Sequence, residues 1–447
     1  MASINKVNKT TSHEDVVVNN ISANDKLKRL TFAHMLFEDQ FYIDGQSSAE
    51  LLKNAVNNVS PAFAVEVAKQ AKTAYKLRHV PLMIMSTLAA NGKANAKDIT
   101  DIITRADEMG ELLAIYNKDG KKPIPNQLKK GIARAFHKFD EFQLAKNDKN
   151  SAAYSVRDVM FLTHPKPQSD VEAALFKRIA NQELTTPDTW ETQLSAGADK
   201  KETFTRLMNE RKLGTLAFLR NLRNMAQAGI DEQLIRQYGA TLNVEKTLPF
   251  RFIAAARACP QLEDMLEQMM YNACANMDKI EGSTDVVIDV SGSMFGTKVS
   301  AKSDLDRFDA AAALAVLLSE LCTNVKFYTF SNYLVRVAPR RGFALVDALR
   351  ASQPHGGTHL SKSLEQLRKE GNGSRVIVIT DEQENGYGYC VDSLDYKGNP
   401  LGTHNYILNV GAYSNGINSG KWETITGFSE AVLSYILELE AQKSCVN

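Results

Sequence analysis

A chain of 447 residues is long enough for two to four domains, at roughly 100–200 residues each. Its 44% apolar and 23% charged content is ordinary for a soluble globular protein. Near-equal totals of 53 Lys/Arg and 52 Asp/Glu exclude a histone-like cationic coat or a long acidic tail.

Residues 1–25 are polar and aperiodic and read as a flexible arm. From about Ser47 to Met277 the apolar residues recur three and four apart, the period of helices. The spacing predicts helices over Ala49–Val56, Pro61–Leu77, Pro81–Ala90, Ala96–Tyr116, Asn126–Lys146 and Val156–Leu162. It continues with Val171–Gln182, Lys200–Met208, Lys212–Ala228, Asp231–Tyr238 and Pro249–Asn276. Many helices joined by short loops, without a strand signal or a strict repeat, suggest an α-solenoid or irregular helical array.

After Gly282 the pattern changes. Strands are expected at Thr284–Val290, Asn324–Phe330, Arg375–Thr380 and Asn405–Val410. Helices at Asp306–Leu321, Phe343–Ala351, Leu360–Lys369 and Ser429–Glu440 fall between or after them. Strands alternating with helices make a doubly wound parallel sheet, whose ligands bind beyond the C-terminal strand ends. The fold class expected is therefore mainly α plus α/β, with a helical domain over 26–278 and a sheet domain over 279–447.

The longest wholly apolar run, Ala310–Leu318, is too short to span a bilayer, and the first twenty residues lack the core of a secretory signal. Five cysteines, Cys259, Cys274, Cys322, Cys390 and Cys445, are odd in number, widely spaced and without a CxxC pair. Reduced thiols in a soluble cytoplasmic protein, with no zinc site, are the expectation.

Charge is unevenly placed. Residues 281–447 hold 15 Lys/Arg against 19 Asp/Glu, leaving 38 against 33 for residues 1–280. The compact source of the positive excess is Lys121–Lys149. On the helix expected at Asn126–Lys146, Lys130, Arg134 and Lys138 stand four apart along one exposed stripe, with Lys129 and His137 beside it. Lys121, Lys122, Lys146, Lys149 and Arg157 extend the basic content on either side. Like charges on one face repel, so the stripe calls for an anion nearby, either acidic side chains or phosphates. Phe136, Phe139, Phe142 and Tyr154 could stack unpaired bases, although aromatics at this spacing more often build the core. His137 fits a hydrogen-bonded surface histidine or an RNA contact; Arg105, Arg220 and Arg223 fit the same surface or bridges between helices.

The first strand of the sheet region ends in Asp289-Val290-Ser291-Gly292-Ser293, one carboxylate and two hydroxyls on a tight turn. Gly356-Gly357-Thr358 adds a hydroxyl, and Thr380-Asp381 a carboxylate at another strand end. Two anionic and three neutral oxygens suit a hard divalent cation, Mg²⁺ above all, with a position open to a partner's carboxylate or phosphate. This order of motifs resembles the metal-ion-dependent adhesion site of von Willebrand factor A domains. The resemblance assigns Asp289, Ser291, Ser293, Thr358 and Asp381 as its five ligand residues.

The helical half resembles the TROVE domain of the Ro ribonucleoprotein family. The resemblance is carried by DQFYIDG (Asp39–Gly45), LRHVPL (Leu77–Leu82), RADEMGELLAIY (Arg105–Tyr116) and KKPIPNQLKKGIARAFHKFDEFQLAK (Lys121–Lys146). RDVMFLTHPKP (Arg157–Pro167), WETQLSAGADK (Trp190–Lys200), LAFLRNLRNM (Leu216–Met225) and PFRFIAAAR (Pro249–Arg257) add to it. It implies HEAT-like helical repeats curved into a monomeric ring that an A domain closes. It further implies a noncatalytic RNA-binding protein that takes small noncoding Y RNAs on a basic outer surface. Single-stranded 3′ ends of misfolded RNAs would enter the central hole, for RNA stability and quality control. An exoribonuclease tethered through the RNA is an implied partner, as is an acidic protein at the metal site; a membrane is not. Some relatives place an RNA-contacting histidine where this chain has Val156, and its modest length suggests a bacterial or phage member.

An alternative from another class is a cation-dependent protein scaffold acting through the A domain. A hydrolase is disfavoured, since no histidine base, carboxylate cluster for paired metals or P-loop accompanies Asp289 and Asp381. His355 and His359 flank Thr358, but fit loop polarity as well as catalysis.

Overall fold

Ser60 and Pro61 start their helix as their chemistry dictates. The Ser60 hydroxyl accepts from Phe63 N at 3.2 Å, and Pro61 stands at the first helical position, where an N–H is not needed. The structure, a computed structural model, describes residues 22–32, 45–120, 122–148, 152–245, 247, 249–275, 277–298, 305–371, 373–381, 400–410, 422–426 and 431–444. Most of the arm expected over residues 1–25 lies outside these, but its end is helical, within Ala23–Phe32.

The chain forms two compact units. One comprises residues 22–32 and 48–213 and is helical throughout. Three long helices of the sequence pattern are broken in the structure. Ala96–Tyr116 divides into Ala96–Ile102 and Asp107–Tyr116. Buried Glu108 makes that break: its Oε2 accepts from Thr104 N at 2.8 Å and Arg105 N at 3.2 Å, while Oε1 pairs with Lys72 Nζ at 2.5 Å. Asn126–Lys146 divides into Asn126–Ala135, a 3-10 turn at Phe136–Lys138 and Glu141–Asn147. There Asp140 and Gln143 form a capping box that starts a new helix after an extended Phe139. Pro260 breaks the third, leaving Pro249–Ala258 and Glu263–Cys274.

The other unit takes in the residues from Gly214 onward. Its sheet has the order β3-β2-β1-β4-β5-β6. The strands are β1 (Ile280–Asp289), β2 (Cys322–Phe330), β3 (Leu334–Arg336), β4 (Arg375–Thr380), β5 (His404–Asn409) and β6 (Glu423–Thr426). Among the described strands, β2 and β3 pair antiparallel and the other neighbours pair parallel. β3 and β6 are too short to announce themselves in the sequence. The run Ala310–Leu318 is explained by complete burial within the Arg307–Leu321 helix.

Secondary structure changes from helix to strand between Cys274 and Ile280. The helices Thr215–Gln227, Glu232–Thr241, Pro249–Ala258 and Glu263–Cys274 nevertheless cluster with the sheet. Specific contacts explain this. Arg257 pairs with buried Asp309, Phe343 N donates to Glu267 Oε1 at 2.8 Å, and the Arg341 guanidinium lies 4.0 Å from the Tyr271 ring centre.

Candidate functional site: a basic helix and an oxygen-lined strand edge

The Asn126–Ala135 helix buries Leu128, Gly131, Ile132 and Ala135. A Cβ on Gly131 would lie 2.6 Å from Ile99, so only glycine lets this helix seat so closely on Ala96–Ile102. Thr100 Oγ1 adds a bond to Gly131 O at 2.9 Å. The opposite face is thereby held rigidly outward. Lys130 and Arg134 are exposed on it, and neither makes a hydrogen bond or ion pair with another described side chain. Lys129 is half-buried beside them; Lys122 and Lys146 are exposed, and Lys146 sits 5.7 Å from the exposed ring of Phe142.

Three of the other expected contacts are engaged within the protein. Lys138 donates its ammonium to the carbonyls of Thr100 and Ile103, the second at 2.8 Å, satisfying the end of the Ala96–Ile102 helix. Burial lowers its pKa. His137 Nδ1 donates to Glu172 Oε1 at 2.9 Å, joining two helices. Arg157 Nε donates to Ala180 O at 2.8 Å, with its guanidinium 5.1 Å from the Phe161 ring centre. Lys121 and Lys149 lie outside the described residues. Phe136 and Phe139 are core, whereas Phe142 is 48% exposed, and Tyr154 Oη accepts from Asn117 Nδ2 at 2.9 Å. Val156 is buried. Arg105 pairs with Asp107 through two 3.0 Å bonds; Arg220 and Arg223 are exposed on Thr215–Gln227.

At the sheet, β1 is flanked by β2 and β4, reached in opposite directions, so its C-terminal end is the switch point of the topology. Ile288 pairs with Ile379, which brings Asp289 beside Thr380 and Asp381. Asp289 Oδ1 accepts from Ser291 N at 2.8 Å and Oδ2 from Thr380 Oγ1 at 2.6 Å. The Ser291 and Ser293 hydroxyls stand 3.2 Å apart. The loop carrying Thr358 is tied to this turn by Gly292 N to Gly356 O, 3.1 Å, and by His355 Nδ1 to Val290 O, 2.9 Å. Ser331 and Asn332, after β2, clamp the loop through Gly356 N at 2.8 Å and Gly357 N at 3.0 Å. A Cβ on Gly356 would meet the Asn332 side chain at 2.5 Å, so a larger residue there would displace this clamp.

Asp289 and Asp381 are both fully buried, and Ser291 and Thr358 nearly so. Burial, reinforced by the Asp381 charge, raises the Asp289 carboxyl to about 7 against its hydrogen bonds from Ser291 and Thr380. Asp289 and Asp381 are two buried carboxyls at adjacent strand ends, with the Ser291 and Ser293 hydroxyls on the same turn as Asp289, oxygen donors of the kind a hard cation such as Mg²⁺ takes. No group of three or more His, Cys, Asp or Glu residues able to hold a metal occurs among the described residues. A site here therefore depends on hydroxyls as well as carboxylates.

The residue missing from the sequence-based set is Arg307. Its Nη1 donates to Asp381 Oδ2 at 2.6 Å, with both side chains buried. The available signal is one arginine in the first turn of an otherwise largely apolar buried helix.

No helix among the described residues is long and apolar enough to cross a membrane. Residues 177–314 match the TROVE domain family. No curated protein matches the chain. Among solved structures, that of the Deinococcus radiodurans Ro (RSR) protein is similar, with a TM-score of 0.65 and 18% identity over 93% of this chain and 98% of that one. The chain thus carries a TROVE-family match over residues 177–314 and shares the fold of that Ro protein along nearly its whole length.

Proposed function

We propose that the chain is a noncatalytic RNA-binding protein of the Ro type. The observation that carries this reading is the pair Lys130 and Arg134: exposed cations that make no ion pair with a described side chain, on a helix locked in place through Gly131. Uncompensated charge on a rigid face is suited to phosphates, whose binding releases counterions. The TROVE match and the Ro fold support RNA as the polyanion. Small Y-like RNAs and the single-stranded 3′ ends of RNA are the chain's ligands, and the exposed cations take the phosphates of either. The role is RNA stability and quality control in the cytoplasm, with an exoribonuclease recruited through the bound RNA. Lys122, Lys129 and Lys146 supply further phosphate contacts, and exposed Phe142 a stacking face.

Fluorescence anisotropy with a single-stranded RNA tail, read from 50 to 200 mM salt, tests this. Replacing Lys130 and Arg134 together by alanine should weaken binding and flatten the log–log salt slope by about 1.4, two contacts' worth on a single strand. Unchanged affinity and slope would remove the basis of the proposal.

A second activity is suggested by the oxygen cluster of Asp289, Ser291, Ser293, Thr358 and Asp381. These residues would hold Mg²⁺, which would supply a Lewis-acidic point for a partner's carboxylate. Chelation should then release an acidic protein partner while RNA binding persists.

A further inference from the structure

The candidate metal site contains a cation of its own. Arg307 Nη1 reaches Asp381 Oδ2 at 2.6 Å, and both side chains are at most 5% exposed. The turn that carries Arg307 is fixed: Asp306 caps the Arg307–Leu321 helix, accepting from Asp309 N at 2.8 Å and donating its own N–H to Asp309 Oδ2 at 3.0 Å. The remainder of that helix is packed into the core, so its first turn has little room to shift.

We propose that Arg307 is the internal competitor for the cation at Asp381, so that loading the site and releasing this guanidinium are a single event. The inference rests on the reading of the oxygen cluster as a Mg²⁺ site and deepens it. Cation affinity at oxygen sites follows the charge of the ligands and the rigidity with which they are held. With Arg307 attached to Asp381, the two carboxylates present a net charge of one rather than two. A guanidinium has donors and no acceptor, so Arg307 competes with a metal ion and cannot join its ligands. It yields only by moving, and its bond to Asp381 is part of what a cation has to overcome.

A second buried ion pair supplies an internal control. Arg375, at the start of β4, donates Nε to Glu440 Oε1 at 2.7 Å, while Asp381 follows the other end of the same strand. The site hydroxyls belong to the Asp381 end, so a cation at the site should leave Arg375 untouched.

The test is calorimetric titration of Mg²⁺ into the full chain and into Arg307→Gln. Removing the competing charge should tighten Mg²⁺ binding on the order of tenfold or more. Equal or weaker binding by the variant would overturn the inference while leaving the metal site standing. If neither protein binds Mg²⁺, the reading of the site itself fails and takes the inference with it. Should Arg307→Gln not fold, the unaltered chain decides. Mg²⁺ should shift the guanidinium ¹⁵N signals of Arg307 in step with the binding heat and leave those of Arg375 in place. Saturation with Mg²⁺ without movement of the Arg307 signals would refute it.

Discussion

Lys138 and Ile103 are joined by a 2.8 Å bond from ammonium to main-chain carbonyl. A lysine that sequence spacing aligns with Lys130 and Arg134 thus serves to close a neighbouring helix of the protein itself. The roles of the three cations therefore separate. Lys138→Ala should destabilise the fold by about 1.5–3 kcal/mol, the usual worth of a hydrogen bond from a charged group. Replacing Lys130 and Arg134 should change stability by no more than about 0.5 kcal/mol. Urea unfolding at neutral pH distinguishes them; equal costs would contradict this division.

Phe136 and Phe142 divide in the same way. Phe136 is buried and packs edge-on against Phe176 with ring centres 5.9 Å apart, whereas Phe142 is exposed next to Lys146. Phe136→Ala should cost about 3–5 kcal/mol of stability. Phe142→Ala should leave stability intact and weaken single-stranded RNA binding by about 1–3 kcal/mol, the range for a lost stacking contact. Anisotropy titrations at fixed salt read the second effect, and an unaltered affinity would eliminate Phe142 as a base platform.

Glu440 gives a pH signature. Burial alone would raise its carboxyl, but the Arg375 guanidinium more than offsets this and holds it below the ordinary 4.5. A carboxylate held down in the folded state adds stability above the unfolded value and loses it as pH falls through the folded one. Glu440→Gln should cost about 3 kcal/mol at pH 7. Its deficit relative to the unaltered protein should shrink as pH falls below about 4. Denaturant unfolding at pH 7 and pH 3.5 measures the two gaps, and a constant gap would show that the charge of Glu440 is not what the pair depends on.

Asp289→Asn retains the shape of its turn but removes one of the two buried carboxyls at the strand edge. Mg²⁺ binding should fall below detection by calorimetry, with single-stranded RNA affinity unchanged within about twofold (roughly 0.4 kcal/mol). Loss of both together would mean that the strand edge and the basic helix are not independent.

The strand edge was legible because its chemistry is local. Asp289, Ser291 and Ser293 lie on one turn, and the glycines before Thr358 announce a tight loop. Arg307 was not, because it reaches Asp381 only after 74 residues of chain have folded back. The basic helix was read in part. Period and charge identified Lys130 and Arg134, but the bonds engaging Lys138, His137 and Arg157 run to Ile103, Glu172 and Ala180, on other helices. The breaks at Glu108 and Asp140 show the same limit. An apolar period continues across a capping residue, and only the D-x-x-Q sequence at Asp140–Gln143 offered a local warning.

The pairing of Arg257 with Asp309 has a practical corollary for dissecting this protein. A fragment beginning at residue 279 would strip a guanidinium from a carboxylate that has no solvent to fall back on, leaving Arg350 at 3.4 Å as its nearest recorded counter-charge. A fragment beginning at Gly214 would keep that partner, together with the Glu267 and Tyr271 contacts around Arg341 and Phe343. The natural cutting point for an autonomous sheet module is thus some sixty-five residues upstream of its first strand, about the length of a small domain.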